Sequence, residues 1–214
     1  MQNVLNKNYF IINRYMFENN IKKGVVYMCT AVSSENFFGR NLDYEHGFGE
    51  KVIITPRSFP FRFGKQCLAI IGIGIEEGGY PLYFDAMNEK GVGAAGLNFP
   101  ENAHYFEKTV NKTCIPSFEV IPFLLSQVSS VSDVKVLLHD AVITNTPFSE
   151  SLSPSPLHWL VSDKKESVVI ESTKEGLTLY ENPVGVLANS PPFPHHLSSL
   201  NPLPRCFYPF AWVK

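Results

Sequence analysis

The sequence predicts an α+β fold, with antiparallel β-sheets and helices packed outside them. Three observations carry this. Short β-rich runs come first, helical stretches follow between residues 118 and 139, and strands then return. Strand and helix do not alternate as they do in a parallel sheet built from βαβ units. An apolar share of 44% against 18% charged is enough for a real core in 214 residues, which suits one domain.

Residues 29–32 are short and apolar, Ser33-Ser34-Glu35-Asn36 is turn chemistry, and residues 37–42 resume as a strand. This hairpin returns Arg40 and Asp43 towards Cys29. Lys51 to Thr55 is a β-branched strand ended by Pro56. Cys67 to Ile75 is nearly continuous in apolar residues and reads as a buried strand. Residues 83–87 lead into the turn Asn88-Glu89-Lys90-Gly91, and residues 92–99 run back to Pro100. A helix is expected over residues 118–125, with Pro122 in its early turns, where proline is tolerated. Ser130-x-x-Asp133 resembles a capping box that opens a second helix, Val134 to His139. Residues 157–163, 167–171, 177–180 and 184–188 then read as strands separated by polar turns.

The ends read differently. Residues 1–27 mix asparagine, lysine and bulky apolar side chains, without the apolar stretch or cleavage site of a secretory signal. Lys22-Lys23-Gly24 requires purine-rich codons just ahead of the Met28 codon, where a bacterial ribosome-binding site would lie. Residues 1–27 are therefore expected to be a leader or a mis-assigned start, with residues 28–200 as the folded domain. Residues 201–214 are proline-dense and lack strand or helical period.

Net charge is −2 and no basic stripe is present, which argues against nucleic acid and membrane surfaces as partners. No run reaches the length of a membrane-spanning helix. The four cysteines, Cys29, Cys67, Cys114 and Cys206, are widely spaced and include no CxxC pair. That pattern suits a reducing, cytoplasmic setting. The histidines have no metal-ligand spacing, and no G-x-S-x-G elbow occurs. Gly91-x-Gly93-x-x-Gly96 matches a dinucleotide fingerprint as a string, but a turn precedes it and Pro100 follows, so no nucleotide cofactor is expected. A glycine-rich strand allowing close backbone approach is the better reading. His158 reads as packed beside Trp159, and Cys67 and Cys114 as small buried apolar residues.

Cys29 directly follows Met28. Trimming before it would place a thiol and a free α-amine on one residue, a nucleophile beside its own base. Position alone leaves open whether Cys29 is a nucleophile or a core residue, and whether Arg40 and Asp43 form a surface pair. Asn98 and Asn189 each end an apolar strand shortly before a proline.

Five segments together resemble the choloylglycine hydrolase family: Met28-Cys29-Thr30-Ala31, residues 38–43, residues 87–100, Leu157-His158-Trp159 and Ala188-Asn189-Ser190-Pro191. The family comprises bile salt hydrolases and penicillin V acylases. The resemblance implies the N-terminal-nucleophile αββα sandwich, here incomplete at the C-terminal end. It implies Cys29 as nucleophile, Arg40 and Asp43 as the pair holding thiol and amine, and Asn98 and Asn189 around an oxyanion hole. Asparagine at position 98 tilts the expected substrate towards glycine- or taurine-conjugated bile acids, away from penicillin V. No cofactor or metal is implied. Phe59, Phe61 and Phe63 are candidate walls for a steroid pocket, or else a packed loop. Family members extend further, so open sheet edges and a doubtful activity are expected. A non-catalytic remnant is the competing reading, and a homo-oligomer is expected of the complete fold.

Overall fold

The computed structural model describes residues 28–64 and 68–200. The expectations for residues 1–27, Cys67 and residues 201–214 lie outside the described residues. Twelve strands occur among those described: β1 (Thr30–Ser34), β2 (Phe37–Asn41), β3 (Lys51–Thr55), β4 (Ile70–Glu77), β5 (Tyr80–Asn88), β6 (Gly93–Asn98), β7 (Thr113–Pro116), β8 (Ala141–Thr144), β9 (Leu157–Ser162), β10 (Ser167–Thr173), β11 (Gly176–Glu181) and β12 (Val186–Ala188). A 3-10 turn, Ser117–Glu119, runs into α1 (Val120–Leu125). The other helices are α2 (Val131–Leu137) and α3 (Phe193–Leu200).

A seven-stranded antiparallel sheet, β11-β10-β9-β6-β5-β4-β3, is the main layer. Its central strands β6, β9 and β10 are apolar and buried along nearly their whole length, because both faces are covered. On one face, Val120, Ile121, Leu124 and Leu125 of α1 and Val131 and Val134 of α2 join Ala94, Trp159, Val161 and Ile170 in the larger core. On the other face lies a three-stranded sheet, β12-β1-β2. Ala31 and Leu187 meet Ala95, Leu97, Leu160 and Val169 there, and Phe193 of α3 closes the cluster. The described residues thus build a helical layer, a large sheet and a small sheet. The outer face of the small sheet exposes Val32, Phe37 and Val186.

Local chemistry sets the joints. The β1–β2 hairpin turns between Ser34 and Phe37, with Glu35 at φ 46°. Asn88 ends β5 fully paired: its side-chain oxygen accepts from Lys90 N and Val92 N at 3.0 Å, and its amide donates to Leu125 O and Val128 O at 2.8 Å. One side chain therefore shapes the β5–β6 turn and fastens it to the end of α1. Ser130 Oγ accepts from Asp133 N at 3.2 Å, and Asp133 Oδ2 accepts from Ser129 N at 2.8 Å, which caps α2 as its sequence predicts. Gly93 is glycine because a Cβ there would lie 2.7 Å from the Phe38 ring, inside the seam between the two sheets.

Some boundaries move. The first helix begins as a 3-10 turn, and Pro122 is the third residue of α1. The second helix starts at Val131 and ends at Leu137 rather than His139. The parallel pair β7–β8 and the helix α3 are additions to the sequence-based reading.

Candidate active site

The β1–β2 hairpin brings Arg40 across from Ala31, next to Cys29 at the start of β1. Arg40 Nη2 lies 3.7 Å from Cys29 Sγ, and Arg40 Nη1 lies 3.5 Å from Asp85 Oδ2 on β5. The Arg40 side chain is only 4% exposed, so its charge sits between a thiol and a carboxylate with little water around it. Burial pushes the Asp85 carboxyl above its ordinary range, while the Arg40 charge and hydrogen bond pull it back down. Cys29 is 1% exposed with the chain continuing ahead of it.

The peptide ahead of Cys29 is held by the same hairpin. Met28 N donates to Asp43 Oδ2 at 3.1 Å, and Asn41 Nδ2 donates to Met28 O at 3.2 Å. Thr30 N donates to Asn41 Oδ1 at 2.6 Å, so Asn41 brackets Cys29 from both sides. In this chain the Asp43 carboxylate receives the nitrogen one residue before Cys29. Met28 itself is 43% exposed.

Asn98 ends β6, and Asn189 follows β12. The two meet: Asn98 N donates to Asn189 Oδ1 at 3.2 Å, and Ser190 N donates to Asn98 O at 3.1 Å. A buried pair supports this junction. His158 Nε2 lies 2.8 Å from Ala188 O, its Nδ1 lies 3.1 Å from Glu171 Oε1, and that oxygen also accepts from Phe193 N at 2.9 Å. The imidazole stacks on Phe99 at 4.3 Å. His158 is thus packed, as read from sequence, but it also ties β9 and β10 to the strand that delivers Asn189. His196 hydrogen-bonds the backbone at Asn189 and Pro191, and burial, with His158 nearby, holds its ring below the ordinary histidine range.

A cleft of about 1050 Å³, open mouth included, begins at this constellation. Arg40, Gly96 and Asn98 line it together with Leu82, Phe84, Phe118, Phe148 and the loop 152–155. The wall is therefore mostly apolar, with Arg40 and Asn98 among its polar groups. Phe59, Phe61 and Phe63 do not line this cleft, which corrects the pocket-wall expectation. Phe61 is 5% exposed and stacks on Phe63 at 5.2 Å, Phe63 meets Phe123 at 5.2 Å, and Phe59 meets Phe61 at 4.8 Å. These three rings belong to the core beneath the loop. Cys114 is half-buried, accepting from Thr109 N at 3.3 Å and donating to Thr109 O at 3.4 Å, so it is a local turn clasp rather than core.

Asp85 and Asn41 were missed by sequence reasoning. A carboxylate inside the apolar run Tyr83-Phe84-Asp85-Ala86-Met87 was the available signal for Asp85.

Two facing sheets with a cysteine at the entry to the first strand, and the same strand's hairpin partner supplying an arginine to that thiol, define an N-terminal-nucleophile hydrolase fold. The family model described as linear amide C–N hydrolases, choloylglycine hydrolase family, matches residues 28–204. The chain belongs to the choloylglycine hydrolase family. It is similar to a bile salt hydrolase/transferase of Lactiplantibacillus plantarum, at 53% identity over 182 residues, covering 81% of this chain and 56% of that protein. A bile salt hydrolase/transferase of Clostridium perfringens is 40% identical over 187 residues, covering 81% of this chain and 57% of the relative. The crystal structure of a variant of the conjugated bile acid hydrolase from Clostridium perfringens superposes with a TM-score of 0.74 at 38% identity, covering 81% of this chain and 56% of that one. A penicillin V acylase from Agrobacterium tumefaciens shares the fold, with a TM-score of 0.62 at 17% identity over 80% of this chain and 55% of that one. The chain spans little more than half the length of the curated relatives it matches.

Proposed function

We propose that this chain carries the nucleophile half of an amide hydrolase acting on glycine- or taurine-conjugated bile acids. The observation that carries the reading is the buried Arg40 guanidinium 3.7 Å from Cys29 Sγ, with Arg40 also lining a mostly apolar cleft. Removal of residues 1–28 frees the Cys29 amine, one residue on from the Met28 nitrogen that Asp43 holds. The amine takes the thiol proton, and the thiolate attacks the amide carbonyl. Asn98 and Asn189 donate to the oxyanion that forms, an interaction whose loss typically lowers rate about 10²–10³-fold. The C–N bond breaks, the ammonium returns a proton to the leaving glycine or taurine, and the acyl group stays on sulfur as a thioester. Water, deprotonated by the same amine, then releases the bile acid. Arg40 stabilises the sulfur anion before attack and after deacylation. The apolar cleft and the 53% identical bile salt hydrolase/transferase support a steroid acyl group over a penicillin side chain. A cytoplasmic setting and self-association of a complete fold are part of the same reading.

The test is glycocholate hydrolysis by protein made from the whole gene, with Cys29→Ser as the control. Glycine release in the first and background release in the second is expected. Equal release in both would remove Cys29 from the chemistry. Faster turnover of penicillin V than of glycocholate would reassign the substrate. A folded wild type that turns over neither amide would favour a non-catalytic remnant.

A further inference from the structure

The loop that holds Phe59, Phe61 and Phe63 in the core sends one side chain outward to the cleft wall. Arg62 is exposed, yet its guanidinium carbon lies 4.5 Å from the Phe148 ring, 5.0 Å from Tyr80 and 5.5 Å from Phe118. These rings come from three separate segments: the loop after β8, the start of β5 and the 3-10 turn before α1. Phe118 meets Phe148 edge-on at 5.2 Å, and Tyr80 meets Phe148 at 5.7 Å. Phe118 and Phe148 both line the cleft. Tyr80 OH donates to Glu119 Oε1 at 2.8 Å. Glu119 is 4% exposed, and the Arg62 charge counteracts the burial that raises its carboxyl. One cation therefore touches three ring faces and faces a buried acid behind them.

The position in the cleft follows from β5. Tyr80, against Arg62, and Asp85, against Arg40, are five residues apart on this strand. At about 3.3 Å per residue the separation is roughly 16 Å, so Arg62 stands far from the thiol.

We propose that Arg62 is a specificity-determining residue that fixes the apolar wall of the cleft by pinning Phe118 and Phe148. The wall it fixes is a rigid aromatic surface suited to a flat, fused-ring hydrocarbon. This deepens the proposed function and rests on it for the identity of the acyl group. A flexible aliphatic acyl chain gains little from a fixed wall, whereas a rigid polycycle gains from every contact held in place.

The test is equilibrium binding, which needs no turnover. Deoxycholate and the apolar fluorophore anilinonaphthalene sulfonate are titrated into the full chain, its Arg62→Met and Arg62→Lys variants, and Phe148→Ala as a marker for the cleft. A cation–π cluster of this size predicts weakening of both probes in Arg62→Met by roughly 2- to 30-fold, with partial recovery in Arg62→Lys. Methionine keeps the apolar stem, so melting temperature is expected to stay near wild type. Unchanged affinity for the fluorophore in Arg62→Met while Phe148→Ala weakens it would overturn the inference, and so would a loss matched by a fall in melting temperature. If the wild type ignores deoxycholate while the fluorophore still depends on Arg62, the wall role stands and the steroid reading of the proposed function falls.

Discussion

The large sheet and the small sheet share an apolar seam but differ in how much directed polar contact is added to it. In the large sheet, β6, β9 and β10 bury five or more consecutive residues each, and the attachment is apolar on both faces. In the small sheet, β1 and β2 alternate in exposure, and few of their side chains reach the core. Its ties to the rest combine an apolar seam, Ala31 and Leu187 against Leu97, Leu160 and Val169, with directed polar contacts: Ala188 O to His158, Asn189 to Asn98, and Arg40 to Asp85. Apolar burial is non-directional and sets the fold. Hydrogen bonds fix distance and angle, and the candidate catalytic groups sit where they dominate. The scaffold is therefore tolerant of small shape changes, and the site is not.

The sharpest way to break this comparison is to damage each sheet in its own currency. Trp159 is 1% exposed at the centre of the large sheet. Trp159→Ala is expected to cost about 3–5 kcal/mol in chemical denaturation. Val32→Ala, on the open face of the small sheet, is expected to stay within about 0.5 kcal/mol. Similar costs for both would erase the distinction. Next in size is His158→Leu, which leaves Glu171 and Ala188 O without their shared partner. A loss of about 1–3 kcal/mol is expected, read by urea unfolding. A double-mutant cycle with Asn189→Ala should show coupling if His158 acts through the β12 segment, and additivity if it does not.

Ser130→Ala removes the cap of α2 and should cost about 1 kcal/mol, a purely local loss on the scaffold side. The smallest effect concerns Arg57 and Glu89, an exposed pair joined by several hydrogen bonds. Arg57 is the main cause holding the Glu89 carboxyl down at about 2. The folded value lies below the unfolded one, so this contribution is present above about pH 4.5 and fades as pH falls towards 2. Arg57→Gln should move the Glu89 titration, followed by NMR, up towards the ordinary carboxyl range, with the Ala69 N–H still holding it part of the way down and little change in melting temperature.

What was legible in the sequence follows the same division. The buried strands of the large sheet showed as apolar runs, and the turn at Asn88-Glu89-Lys90-Gly91 showed in its residues. The hairpin bringing Arg40 back to Cys29 was readable because turn and strands are adjacent in the chain. The parallel pair β7–β8 was not, since Thr113-Cys114-Ile115-Pro116 and Ala141-Val142-Ile143-Thr144 are too short to show a period. Helix α3 went unread, and Pro192 and Pro194 fall at its start, where proline fits. Asn98 and Asn189 lie 91 residues apart, and only family resemblance paired them. The aromatic loop looked like a pocket wall because its rings are apolar. Composition could not say that they face inward while the charged residue among them lies exposed against Tyr80, Phe118 and Phe148.

The central claim is that a freed Cys29 amine works beside its own thiol. Intact-protein mass spectrometry of the purified, glycocholate-hydrolysing protein tests it most directly, using the whole gene in a bacterial host. A mature chain that begins at Cys29 is the predicted result. A fully active protein that still carries Met28 would contradict the account.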